Sequence, residues 1–126
     1  MSQRRRVVIT GMGLVSPLGN DMASSWDGIV NGRSGLGPIT TFDTEGYSTK
    51  IAGEIRGFDP TAFVPPKDVK KMDSFIHYGL AASLMAMDDA GLEVTEANAE
   101  RIGAIIGAGI GGILGIEETA VKLHEG

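Results

Sequence analysis

The chain has 126 residues, of which 19 are glycine and none is cysteine. Its 42% apolar and 21% charged residues are typical of a folded domain and exclude a disordered linker or a disulfide-stapled secreted module. The lack of cysteine excludes a thiolate nucleophile, a cysteine zinc site or an iron–sulfur site made from these residues. The net charge of −5 argues against general nucleic-acid binding, which needs clustered positive charge.

The first residues resemble the start of a signal peptide, because three arginines at 4–6 precede a short apolar run. Glycine and proline at Gly11, Gly13 and Pro17 interrupt that run. No stretch approaches the roughly 18 to 20 apolar residues that span a bilayer. We therefore expect a cytoplasmic protein without a membrane segment.

The apolar pattern predicts strands and helices in alternation. Residues 5–10 (RRVVIT) and 101–108 (RIGAIIGA) are apolar runs typical of strands that are buried on both faces. A weaker strand is predicted at 51–55, whereas 32–50 and 57–67 are rich in glycine, serine or proline and are predicted to be irregular. This order predicts an α/β arrangement with a largely parallel sheet.

Three helices are predicted between these strands. The first covers 21–30 after an Asn or Asp cap, and the third covers 113–124. The second runs from Asp73, as a cap or a first-turn acid, to a stop at Gly91, and its residues are apolar or small on nearly every face. Such a helix is expected to be buried on several sides.

The segment GAGIGG follows the last predicted strand and fits the dinucleotide-binding pattern G-x-G-x-x-G through Gly107, Gly109 and Gly112. Its amides could hold a pyrophosphate at the start of the next helix. The other interpretation is that glycine lets a tight turn pack against a neighbouring element. The packing interpretation is favoured, because the chain shows no second strand with an acidic end to bind the ribose.

Two further groups of residues are candidates for function. Lys67, Lys70 and Lys71 form a basic cluster in an acidic chain, which is either a solvated face or a docking site for an anionic partner. His77 and His124 have no acid or second ligand at a convincing spacing, so we interpret both as structural or solvated. The residues alone therefore predict no catalytic constellation and no metal site.

Six segments in order resemble one enzyme family. They are RRVVITGMGLVSPLGN near the start, NGRSG at 31–35, FDT at 42–44, KKMD at 70–73, DDAGLEVTEANAERIGA at 88–104 and IIGAGIGG at 105–112. Together they resemble the N-terminal region of the β-ketoacyl-acyl-carrier-protein synthases, the condensing enzymes of bacterial fatty acid synthesis, and among these the synthase II group. The resemblance covers essentially the whole chain.

The resemblance implies a thiolase-like fold, in which two related α/β halves stack as α-β-α-β-α. Residues 1–126 would then be the N-terminal portion of the first half, with no complete domain boundary inside the chain. It also implies decarboxylative Claisen condensation of an acyl-enzyme with malonyl-acyl-carrier protein, without a cofactor. The family's catalytic cysteine and two histidines belong downstream of Gly126 in its pattern, so no catalytic residue is expected here, and neither His77 nor His124 corresponds to one.

The resemblance assigns roles to two of the candidate groups. Ile110 matches an isoleucine that lines and gates the acyl pocket, and Lys67, Lys70 and Lys71 match a patch that docks the acidic carrier protein. A homodimer is implied for the full-length enzyme. One alternative remains within the same fold, namely a non-catalytic partner subunit that determines chain length.

Overall fold

The computed structural model describes residues 4–126, and most of its regular structure is helical. In chain order the elements are α1 (Met22–Val30), β1 (Leu36–Pro38), β2 (Ile51–Gly53), α2 (Pro66–Val69), α3 (Ser74–Asp89) and α4 (Ile113–Glu125). Single turns of 3-10 helix lie at Pro60–Ala62 and Ala99–Arg101. The longest element is α3.

The three predicted helices are confirmed, and local signals define their ends. Asp21 caps α1, since its Oδ1 accepts the Ser24 N–H at 2.7 Å. Asp73 caps α3 in the same way, with its Oδ1 2.7 Å from the Ser74 nitrogen. Beyond the end of α3, Gly91 adopts a φ of 57°, a left-handed conformation that stops the helix.

The predicted parallel sheet is wrong for this part of the molecule. Within residues 4–126 the one sheet has two short antiparallel strands, β1 and β2, with Leu36 opposite Gly53. The predicted weak strand is confirmed as β2, but β1 lies in a segment that was expected to be irregular. Antiparallel pairing needs no crossover helix, so a simple loop over 39–50 joins the two strands.

The two strongest strand predictions, 5–10 and 101–108, are also wrong in the described structure. Both segments lie outside any strand, and their apolar side chains are exposed, with Val7 at 93% and Ile105 at 101%. An apolar run forms a strand only where a neighbouring strand can complete its hydrogen bonds. Neither segment pairs with a strand within residues 4–126.

The helix α3 is buried on one side only. His77 and Ala81 are its buried residues, whereas Phe75 and Leu84 are 39% and 44% exposed. The prediction of a helix buried on several sides is therefore not met by the described residues, because no layer within 4–126 covers its other faces. The small, slim side chains of α3 still allow other backbone segments to approach it.

The segment at Gly11 and Gly13 uses that slim surface. A Cβ atom built on Gly13 would lie 2.8 Å from the Ala86 nitrogen, and one built on Gly11 would overlap the Ala86 carbonyl oxygen. The Met12 N–H between them donates to Asp89 Oδ2 at 2.8 Å. Only glycine permits this approach, so backbone contact with α3 fixes the path of the chain here.

We predict that Gly13→Ala lowers the free energy of unfolding of the complete protein by about 1 to 3 kcal/mol, because the added methyl overlaps helix backbone. Urea-induced unfolding measures the change. Gly103→Ala is the matched control, since no atom lies within 4 Å of a Cβ built on Gly103. Equal stability of the two variants would contradict the close contact with α3.

Candidate functional site

A cleft of about 580 Å³ opens where α3 and α4 begin. It is bounded by the first turns of both helices and by the glycine-rich turn that precedes α4. We call it the Ile110 cleft, and its main lining side chains are Asp73, Phe75, Tyr78, Ile106, Ile110 and Ile113. The walls are mostly apolar, which suits an alkyl chain better than a charged ligand.

The glycine-rich turn holds Ile110 in an unusual conformation. Its φ is 45°, and no other non-glycine residue in the described part of the chain has a positive φ. A β-branched residue is strained in this region, because its Cβ crowds the backbone. The side chain is 77% exposed and stands at the cleft. The turn therefore presents Ile110 to the cleft in a conformation that neighbouring contacts must maintain.

Those contacts come from the start of α3. A Cβ built on Gly111 would lie 2.6 Å from Phe75 Cε2, and one built on Gly112 would lie 3.7 Å from Asp73 Oδ2. The favoured interpretation of the glycines, a turn packed tightly against a neighbour, is thus correct at Gly111. Sequence analysis identified Asp73 as a cap but missed the role of Phe75, because no local pattern links that residue to the turn.

The structure around the glycine-rich turn does not match that of a dinucleotide-binding site. That fingerprint requires a strand immediately before the turn, and residues 102–108 form none within the described chain. Among residues 4–126 there is also no group of three or more histidine, aspartate or glutamate side chains placed to hold a metal ion.

The basic cluster Lys67, Lys70 and Lys71 lies on one exposed turn formed by α2 and the residues that follow it. Lys71 Nζ is 2.7 Å from Asp68 Oδ1, whereas Lys67 and Lys70 form no ion pair within residues 4–126. An exposed ion pair contributes little stability. The cluster therefore keeps most of its positive charge available to a partner.

Three packed aromatic side chains and His77 connect the segments on either side of this turn. The ring of Phe58 stacks on Phe63 at 5.9 Å between centroids and meets Tyr78 edge-on at 5.1 Å. His77 is 8% exposed, and its Nε2 lies 3.2 Å from the Val69 carbonyl oxygen. These contacts agree with the structural interpretation of His77, which ties α3 to the end of α2. His124, near the end of α4, is exposed.

The structure brings the two predicted site regions close together. Asp73 lines the Ile110 cleft, and it also lines a smaller groove together with Lys70, Lys71 and Glu118. The start of α3 therefore separates a mostly apolar cleft from a basic surface. An apolar group in the cleft and an acidic group at the basic cluster would match the two surfaces.

Among the described residues, the carboxyl group of Glu54 has the most strongly shifted pKa, and it lies outside the Ile110 cleft. Its carboxylate accepts the Thr40 N–H and hydroxyl at 2.8 Å each, and both equivalent groups of Thr41 at 3.1 Å. These bonds, led by the Thr40 N–H, lower the pKa of Glu54 to about 2. Because the folded pKa is depressed, the stabilisation is present above the usual glutamate pKa and is lost as pH falls towards 2.

The family and the known proteins that this chain is similar to have matching names. A family described as beta-ketoacyl synthase, N-terminal domain, matches residues 4–125. The chain is 52% identical over 122 residues to 3-oxoacyl-(acyl-carrier-protein) synthase 2 of Vibrio harveyi and 53% identical over 122 residues to the protein of that name in Vibrio cholerae serotype O1. It is 43% identical over 121 residues to the synthase 2 of Synechocystis.

These matches cover nearly all of this chain but a minor part of each relative. They span 97%, 97% and 96% of the chain, and 29%, 30% and 29% of the three relatives. A solved structure titled the ishigamide ketosynthase/chain length factor aligns with a TM-score of 0.63 and 42% identity, over 76% of this chain and 23% of that one. The expected thiolase-like α/β fold class, incomplete in this chain, is confirmed. No helix within 4–126 has the length and apolarity needed to cross a membrane.

Proposed function

The chain belongs to the β-ketoacyl synthase family, and we propose that it is part of a condensing enzyme that elongates acyl chains on acyl carrier protein. The observation that carries this proposal is the match to three synthase 2 proteins at 43–53% identity over 96–97% of the chain. In the reaction, malonyl thioester loses carbon dioxide, and the resulting carbanion attacks the acyl carbonyl and displaces the enzyme's thiolate. The catalytic groups belong to the part of the family pattern beyond Gly126.

The proposal is tested on the complete protein, because the chain spans less than a third of those relatives. Purified protein is mixed with acyl- and malonyl-acyl-carrier protein, and mass spectrometry follows the carrier-bound product. Carbon dioxide release with an elongated β-ketoacyl product is expected. A folded protein that gives neither would overturn the proposal.

The second candidate is a non-catalytic subunit that determines chain length. The likeness to a structure whose title names both a ketosynthase and a chain length factor is compatible with either role. The names of the three relatives favour the catalytic role. Activity of the complete protein by itself supports the enzyme, whereas activity that appears only after a second ketosynthase-like subunit is added supports the alternative.

Within the enzyme we propose that Ile110 limits the entry of the acyl chain. The residue stands at a mostly apolar cleft, and the glycines on either side of it leave room for side-chain rotation. A branched side chain at this point narrows the path of a long acyl group more than that of a short one. Its effect on catalysis should therefore depend on chain length.

Ile110→Phe should lower kcat/KM for long acyl substrates about tenfold or more relative to short ones, because a larger side chain occupies the path of the chain. Steady-state kinetics with a series of acyl-carrier proteins measures the ratio. Ile116→Phe, on α4 but outside the cleft lining, is the matched control. An equal loss at every length would count against a gate.

We further propose that the basic cluster Lys67, Lys70 and Lys71 docks the acidic carrier protein. The three side chains are exposed on one turn, and His77 of α3 contacts the Val69 carbonyl at the end of α2. The chain as a whole carries a net charge of −5, so a local positive surface can both attract an acidic partner and orient it. Such docking would bring the carrier next to the Ile110 cleft.

Reversal of all three lysines to glutamate should weaken carrier binding about tenfold or more at low salt, because attraction is replaced by repulsion. The loss should shrink as salt screens the charges. Isothermal titration with acyl-carrier protein measures both effects. The single change Lys70→Glu should weaken binding more than the control Lys50→Glu does. Lys50 is an exposed lysine in the loop between β1 and β2. Unchanged binding in the triple variant would make the cluster an ordinary solvated face.

We propose finally that residues 1–126 form the N-terminal portion of the first thiolase-like half and have no independent core. Large apolar side chains outside the cleft lining are exposed, including Val7 at 93%, Ile9 at 82% and Leu123 at 81%. Surfaces of this kind mark contacts with other parts of a protein. The resemblance also implies a homodimer that acts in the cytoplasm, and light scattering of the complete protein tests the dimer.

Residues 1–126 produced alone should bind the dye ANS and unfold without a cooperative transition, since the apolar segments lack cover. Differential scanning calorimetry and dye fluorescence measure these properties. The complete protein serves as the control. A sharp transition with matching calorimetric and van't Hoff enthalpies in the monomeric fragment would contradict the proposed domain organisation.

A further inference from the structure

The glycine-rich turn is supported on one side only. Cβ atoms built on Gly107 or Gly109 would meet no other atom within 4 Å, whereas those on Gly111 and Gly112 would meet α3 residues. Phe75 provides the closest of these contacts. Three consecutive atoms of its ring, Cδ2, Cε2 and Cζ, would lie 2.7, 2.6 and 2.8 Å from a Cβ on Gly111. The aromatic ring of Phe75 therefore packs directly against the backbone at Gly111.

The residue next to this contact is strained. Ile110 has a φ of 45°, and such a conformation costs of order 1 to 3 kcal/mol and persists only where the surroundings enforce it. The side chain of Ile110 is itself 77% exposed, so its own packing contributes little. The contact between Phe75 and Gly111 is the nearest constraint that can hold the turn in place.

The position of Phe75 suits this task. It lies in the first turn of α3, two residues after the Asp73 cap, so its backbone is fixed by the helix. Its ring is 39% exposed and lines the Ile110 cleft, and none of the roles proposed above uses it. An aromatic ring is flat and rigid, so it defines a surface for the turn more sharply than a flexible aliphatic side chain would.

We propose that Phe75 is a positioning residue for Ile110: its ring seats Gly111, fixes the turn in its strained conformation and thereby sets the chain length that the cleft accepts. The effect on chain length rests on the proposed function of Ile110 as a gate. The seating of the turn is a property of the structure itself, and it can be tested separately from activity.

The first experiment measures hydrogen exchange in the complete protein by mass spectrometry. Phe75→Leu should speed exchange in the peptide that contains residues 110–112, because the turn loses its support. Phe75→Tyr keeps the ring and should exchange as the wild type does. Phe42→Leu, a change to an exposed aromatic residue in the loop between β1 and β2, should have no effect at the turn. Unchanged exchange in Phe75→Leu would overturn the proposal, whatever the activity.

The second experiment measures the ratio of kcat/KM for long and short acyl substrates. In Phe75→Leu this ratio should rise about threefold or more, because Ile110 is no longer held across the path of the chain. Phe75→Tyr should restore the wild-type ratio. An equal loss of kcat/KM at all lengths would show a merely structural role and overturn the selectivity claim.

A double variant tests the contact itself. Gly111 lies outside the left-handed region, so Gly111→Ala is unfavourable only because its methyl meets the Phe75 ring. Gly111→Ala alone should raise the rate of hydrogen exchange at the turn. In the double variant with Phe75→Leu and Gly111→Ala, the change in exchange should be smaller than the sum of the changes in the two single variants. Strict additivity would overturn the direct contact. If the variants show this coupling but the wild-type protein carries out no condensation, the proposed function is refuted and the proposal that Phe75 seats the turn still stands.

Discussion

The capped start of α3 is the constraint on which the rest of the structure depends. Asp73 fixes the first turn of the helix, Phe75 then supports the glycine-rich turn, and His77 holds the end of α2 through the Val69 carbonyl. Alternate residues of one short segment thus reach two different surfaces. A rigid helix end places the apolar cleft and the basic cluster at a fixed separation, as a carrier protein that delivers a tethered chain would require.

Close backbone contact is the second recurring device. Gly13 meets the backbone of α3 from its middle onwards, Gly11 meets it near the end, and Gly111 meets a side chain from its first turn. In each case the absence of a Cβ lets two segments approach more closely than other residues allow. Part of the high glycine content reflects this packing, and at Gly111 the packing also decides how a neighbouring side chain is presented.

Local signals made the helices predictable from sequence, whereas the strands depended on partners that sequence does not reveal. The caps at Asp21 and Asp73 act within a few residues, so both residues could be named as candidate caps from the sequence. The apolar run at 5–10 indicated a tendency to be buried but not the segment that would pair with it. Ile110 and the lysines were identified through family resemblance, while the role of Phe75 needed the structure, because its contact with Gly111 joins distant parts of the chain.

Under the proposed gating role, Ile110 is a position where greater stability would come at the expense of substrate selectivity. Glycine or asparagine would adopt a φ of 45° with less strain than isoleucine does, yet neither would fill the mouth of an apolar cleft. A library of variants sorted only for thermal tolerance should therefore drift towards those residues at 110. Engineers who wish to raise the stability of this protein would have to exclude that position from their search, or accept a change in which substrates it admits.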